Sequence, residues 1–173
     1  MANTYVAIAT VTVGSGGSSS MEFTSIPNTY TDLILKISAR VNTTGDPSMT
    51  LQMNGSTSGY SQIELGAYNT TPYYASRTSE VGITYFYANG SGTTSNTFSN
   101  NEIYIPNYAS SNYKSVSVDT ATENNSTTDG WLVSFISGLW SNTAAITSLK
   151  ITNRAAVNFL QYSTATLYGI KKS

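Results

Sequence analysis

Apolar and polar residues alternate with a period of two along most of this chain, and no stretch of ten or more residues carries helical spacing. Tyr5 to Val13 is rich in β-branched side chains and predicts a strand, ended by the flexible run Gly14 to Ser20. From Asp32 to Val41, Leu33, Leu35, Ile37, Ala39 and Val41 share one face. Lys36, Ser38 and Arg40 share the other with Ile34, the pattern of a half-buried strand. Met49, Leu51 and Met53 repeat the alternation up to Asn54-Gly55, a dipeptide that tolerates the positive φ of a tight turn.

Further along, Ile63 and Leu65 mark a short strand, and Val81 to Ala88 another. A Gly/Ser/Thr/Asn loop from Asn89 to Asn101 precedes Glu102 to Pro106, a strand closed by a residue that cannot donate to a central ladder. Val116 and Val118 face together in Ser115 to Asp119, and a polar run then leads to the apolar segment Trp131 to Trp140. Ile146 to Thr152 and Thr164 to Ile170 read as the last strands. About nine strands at spacings near 8–12 residues predict an all-β protein: a single jelly-roll-like antiparallel β-sandwich over 1–173. The N-terminal strand, 4–13, is a candidate attachment or swapping element.

Composition narrows the chemistry. The 173 residues include neither His nor Cys, which removes Ser-His-Asp triads, thiol centres, disulfides and the usual structural zinc sets. Charged residues make up 10% and the net charge is −1, so no basic field attracts nucleic acid or anionic lipid. Ser, Thr and Asn supply 68 residues, and 13 Tyr with 2 Trp restore apolar area that the modest Leu, Ile, Val and Phe content lacks. The chain therefore reads as folded rather than disordered. Met1-Ala2-Asn3-Thr4 has no Lys or Arg, which makes the apolar stretch after it a poor signal peptide, and that stretch is far too short to span a membrane. Six Asn-x-Ser/Thr sequons are about what chance predicts from such a composition.

Three groups of residues are candidate sites. Nothing in the spacing of the nine carboxylates selects the flanking pair a glycosidase needs, and no enzymatic activity is expected. The oxygen-rich stretch Asp119 to Gly130 resembles a calcium loop in composition but lacks the EF-hand spacing, and a solvated loop is the simpler reading; no cofactor or metal is expected. Among the tyrosines, Tyr73, Tyr74, Tyr85 and Tyr87 are candidates for a protein interface or for stacking on a glycan, with cross-strand packing as the plain alternative. A β domain with so few charges has weakly defended sheet edges, and self-assembly, as a homotrimer, is the expected remedy.

Four blocks carry a resemblance. Tyr30 to Arg40, Ile103 to Ala109, Gly138 to Leu149 and Ser163 to Lys171 resemble, in that order, segments of small structural proteins of tailed bacteriophages, both decoration and fibre types. The likeness runs from about Tyr30 to the C-terminus. It implies a jelly-roll-like β-sandwich with no catalytic residues to carry over. With no coiled-coil or collagen-like shaft ahead of the first strand, the expected role is a capsid decoration or cement protein. Such a protein assembles in the host cytoplasm, sits on the capsid exterior of the virion and bridges subunits of the major capsid protein. Tyr5, Val6 and Ile8 are the candidate capsid contacts, because a terminal strand can add to a partner's sheet edge. The alternative is a tail- or head-fibre domain that binds host-surface glycan through Tyr and Asn.

Overall fold

Leu33, Leu35 and Ile37 alternate with Ile34 and Lys36, and the strand they form, Asp32–Ser38, lies deep in the fold with the first three facing the interior. The computed structural model describes residues 4–45, 47–125 and 132–171, and among these the chain is all β, with no helix. Fourteen strand segments follow one another. They are β1 (Tyr5–Thr12), β2 (Ser20–Phe23), β3 (Asp32–Ser38), β4 (Arg40–Val41), β5 (Ser48–Met53), β6 (Tyr60–Tyr68) and β7 (Thr71–Glu80). After them come β8 (Ile83–Tyr87), β9 (Asn89–Gly90), β10 (Asn100–Ile105), β11 (Lys114–Ala121), β12 (Leu132–Trp140), β13 (Leu149–Asn153) and β14 (Thr164–Ile170).

An eight-stranded sheet in the order β1-β14-β3-β10-β11-β12-β6-β7 faces a four-stranded sheet in the order β2-β13-β5-β8, as in a β-sandwich. Pairing in both sheets is antiparallel; only the short β4–β9 pair is parallel. The pairings nest: β1 with β14, β2 with β13, β3 with β10 and β5 with β8. One core fills the space between the sheets. Leu33, Leu35, Ile103, Val118 and Ile136 from the larger sheet meet Met21, Met49, Leu51, Phe86 and Ile151 from the smaller one. Each such side chain stabilises the fold by about 1.5–3 kcal/mol relative to exposure. Tyr60 and Trp140 close one end, their rings stacked with centroids 5.9 Å apart.

The expected turn at Asn54-Gly55 is present, both residues having positive φ (51° and 68°). Asn54 also ties distant chain together. Its Oδ1 accepts from the Thr147 and Ser148 amides at 2.8 and 3.1 Å, and its Nδ2 donates to the Ala145 carbonyl at 2.8 Å.

The structure has more strands than the periodicity counts: the strand expected over 32–41 divides into β3 and β4, and polar segments also pair. Thr71–Glu80 has little apolar alternation, yet it forms a ten-residue strand because β6 offers it a full ladder across the tight turn at Asn69 (φ 52°). The short strand at Ile63 and Leu65 extends to nine residues for the same reason. Its orientation is also unexpected. Gln62 and Glu64 face inward and are buried, whereas Ile63 and Leu65 point to solvent.

Candidate functional site

The inward face of β6 explains that inversion. Gln62 Oε1 accepts from the Thr84 amide at 2.8 Å, and its Nε2 donates to the Thr84 carbonyl at 2.9 Å, so one side-chain amide satisfies both backbone groups of Thr84 in β8. Glu64, whose side chain is 2% exposed, receives Arg77 Nη2 at 3.0 Å. The same guanidinium lies 3.6 Å from the centre of the Tyr85 ring, and the Arg154 guanidinium lies 4.8 Å from it. Arg154 in turn reaches Glu80 at 3.3 Å. Tyr85 adopts φ 65° on a strand, an uncommon conformation for a bulky residue.

Three of the four candidate tyrosines thus converge on this seam. Tyr85 is engaged by two cations, and Tyr73 and Tyr87 lie half-buried beside it and beside Glu64. Burial pushes both the Tyr73 and the Tyr87 hydroxyls up from the ordinary tyrosine range. The hydrogen bond to Glu64 holds Arg77 even more firmly in its cationic form. Arg77 thus bridges Glu64 of β6 and Tyr85 of β8, and the arrangement fastens β6 and β7 onto β8. Tyr74, the fourth, points the other way and is 87% exposed.

Tyr74 belongs to a different surface. On the outer face of the large sheet, Phe135 of β12, Leu65 of β6 and Tyr74 of β7 stand in one row, each directly opposite the next. The row above holds Val133, Ala67 and Pro72; the row below holds Ser137, Ile63 and Ser76. Ile63, Leu65, Tyr74, Val133 and Phe135 are all exposed, which makes this a continuous apolar face without a charged residue in its nine positions. Sequence reasoning missed it because apolar alternation is read as pointing inward. The available signal was Glu64 between Ile63 and Leu65: whichever face is buried, one of the two kinds of residue is misplaced.

Tyr5, Val6 and Ile8 lie on β1, which pairs in register with β14 of its own chain (Tyr5 opposite Ile170, Val6 opposite Gly169). The strand forms one end of the large sheet, and Ile8 packs against the core while Tyr5 is exposed. Among the described residues, the far side of β1 has no strand neighbour.

At the end of the sandwich where β4 meets the loop after β9, Arg40 organises the chain. Its guanidinium donates to the carbonyls of Ser91, Thr93, Thr94 and Thr97 at 2.9–3.3 Å. Beside it lies a depression of about 540 Å³ lined by Asn42, Asn96, Phe98, Asn158, Gln161 and Tyr162. Asn96 and Tyr162 both have left-handed backbone (φ 64° and 72°), and the Tyr162 ring is exposed.

The calcium reading for 119–130 extends over 126–130, which lie outside the described residues. No group of three or more Asp or Glu is close enough to hold a metal among the described residues. Neither a protein-family model nor a curated protein sequence matches this chain.

Proposed function

We propose that the protein is a non-enzymatic structural protein of a tailed-bacteriophage virion: a homotrimeric capsid decoration protein that bridges subunits of the major capsid protein. In this reading it assembles in the host cytoplasm, sits on the capsid exterior and binds neither cofactor, nucleic acid nor membrane. The strand pairing is the observation that carries it. Nested pairs β1–β14, β2–β13, β3–β10 and β5–β8, split between two facing sheets, support reading the sandwich as a jelly roll, the wrapped double Greek key common to viral capsid and lectin domains. On that reading β11, β12, β6 and β7 are an extension of one sheet. The four phage-like sequence blocks point in the same direction.

The open edge of β1 is the proposed capsid contact, with Tyr5, Val6 and Ile8 as its side chains. A capsid strand adding there would gain backbone hydrogen bonds without refolding either partner. Electron microscopy of particles carrying labelled protein tests the assignment. Density spread over the capsid lattice is expected, and density confined to tail ends would sink it.

A second reading, a fibre domain that binds host glycan, is favoured by the depression near Arg40. Its four carboxamides suit vicinal hydroxyls, and the exposed Tyr162 ring suits the apolar face of a sugar. Tyr73, Tyr85 and Tyr87 are already engaged within the fold and fit that role poorly. Selective glycan-array binding abolished by Tyr162→Ala would favour the fibre reading over the capsid one.

A further inference from the structure

The outer face of β12, β6 and β7 has three properties that a solvent-facing sheet rarely combines. It is apolar across three adjacent strands, it is free of charge, and it ends at β7, a ten-residue edge strand. The exposures of Ile63, Leu65, Tyr74, Val133 and Phe135 are 62, 63, 87, 58 and 49%. With aromatic side chains of ~150–250 Å² and aliphatic ones somewhat smaller, these five present roughly 700 Å² of surface. That is close to the ~800 Å² each partner buries in a standard-size protein interface, and above the ~300–600 Å² of the largest patch on a typical monomer.

We propose that this face is where copies of the chain meet one another. Charge argues for a second copy as the occupant. The patch holds no ionised side chain, with Asp119 of β11 as its exposed acidic rim opposite Phe135, and the whole chain carries a net charge of only −1. Three copies of this face can gather around a threefold axis, each touching its two neighbours, without like-charge repulsion, whereas a strongly charged partner finds nothing here to pair with. A copy seated on this face also shields the adjoining β7 edge, the weakness that so lightly charged a sheet otherwise leaves open. The face lies at the end of the large sheet opposite β1, so self-association leaves the proposed capsid contact free. The inference rests on the trimer in the functional reading above and identifies the surface that builds it.

Light scattering over a hundredfold dilution tests it. The wild-type protein is expected at three times the 18.5 kDa chain mass, and Leu65→Ser with Phe135→Ser at one chain mass, with an unchanged far-ultraviolet spectrum. Both side chains point to solvent, so folding survives their loss; Tyr74→Ser alone is the milder variant should the pair misfold. The chain has no cysteine, which allows a clean second probe. Ser76→Cys on the face should react with maleimide at least tenfold more slowly than Thr57→Cys on an exposed loop. A folded double variant that keeps the wild-type mass would overturn the face while leaving the trimer standing. Wild-type protein at one chain mass throughout would overturn both. Protection of Ser76→Cys only after purified major capsid protein is added would make this face a capsid contact and also overturn the proposal. Decoration of particles by the monomeric double variant reads the capsid assignment separately.

Discussion

Arg77 donates to buried Glu64 at 3.0 Å while its guanidinium carbon lies 3.6 Å from the centre of the Tyr85 ring. One side chain of edge strand β7 therefore fastens a carboxylate of β6 and an aromatic ring of β8, joining the two sheets where the apolar core gives out. Removing one member of a buried pair leaves the other uncompensated. Arg77→Ala should lower stability by about 3 kcal/mol, read as a drop in the urea midpoint at unchanged slope. Glu64→Gln, which keeps a hydrogen-bond acceptor in place, should cost less. Equal effects from both would contradict this account.

The buried tyrosines make a prediction about alkaline pH. Burial raises the Tyr60, Tyr73, Tyr87 and Tyr108 hydroxyls above the usual value of 10.0. Below about pH 10 both folded and unfolded chains keep these protons, and their contribution to stability is fully present. As pH rises further the unfolded chain ionises first, so stability falls through the interval up to the folded values. These four should ionise in the same step in which the near-ultraviolet circular dichroism collapses. Their complete ionisation with that signal intact would be inconsistent with their burial.

Among the described glycines, Gly90 is the least replaceable. A β-carbon there would sit 1.5 Å from the Gly45 carbonyl oxygen and 2.6 Å from that of Thr43, and backbone cannot move aside as a side chain can. Gly90→Ala should cost about 3 kcal/mol by forcing β9 away from the 43–45 loop. By contrast, Gly55→Ala meets open space and strains only a left-handed backbone (φ 68°), costing about 1 kcal/mol. Thermal midpoints in that order are expected; the reverse order would contradict the packing described for β9.

Arg40 should act on a loop rather than on chemistry. Arg40→Met removes the donors to four carbonyls between Ser91 and Thr97 and leaves those groups without their partners. Cleavage of the 91–97 segment by a protease of broad specificity should rise at least tenfold, with the rest of the chain resistant. Unchanged cleavage would show that the loop holds its shape without the guanidinium.

Much of the fold could be read from local pattern. Leu33, Leu35 and Ile37, Met49, Leu51 and Met53, and Val116 and Val118 all face the core as their alternation predicts, because strand periodicity and burial report the same contact there. Asn54-Gly55 was legible as a turn for an equally local reason, the tolerance of both residues for positive φ. Thr71–Glu80 was not, since its strand conformation comes from pairing with β6 and not from its own apolar content.

The candidate sites were less legible. Four tyrosines close in sequence stand in unlike surroundings: Tyr73, Tyr85 and Tyr87 in the seam and Tyr74 on the open face. The Tyr162 depression draws residues from near Arg40, Asn96 and Asn158, separations that no local pattern spans.

The sequence by itself determined an all-β chain of neutral surface, with neither His nor Cys for the chemistry those residues support. Strand propensity, alternation and composition are properties of neighbouring residues, and they survive without knowledge of the partner strands. Only the tertiary structure decided which face of each strand is covered. At β6 the covering strand is β8, whose Thr84 backbone takes the Gln62 amide inside and whose Tyr85 stacks on the Arg77 guanidinium that pairs with buried Glu64. The period of two then forces Ile63 and Leu65 outward. Alternation determines that two faces differ; the opposing layer determines which one meets water.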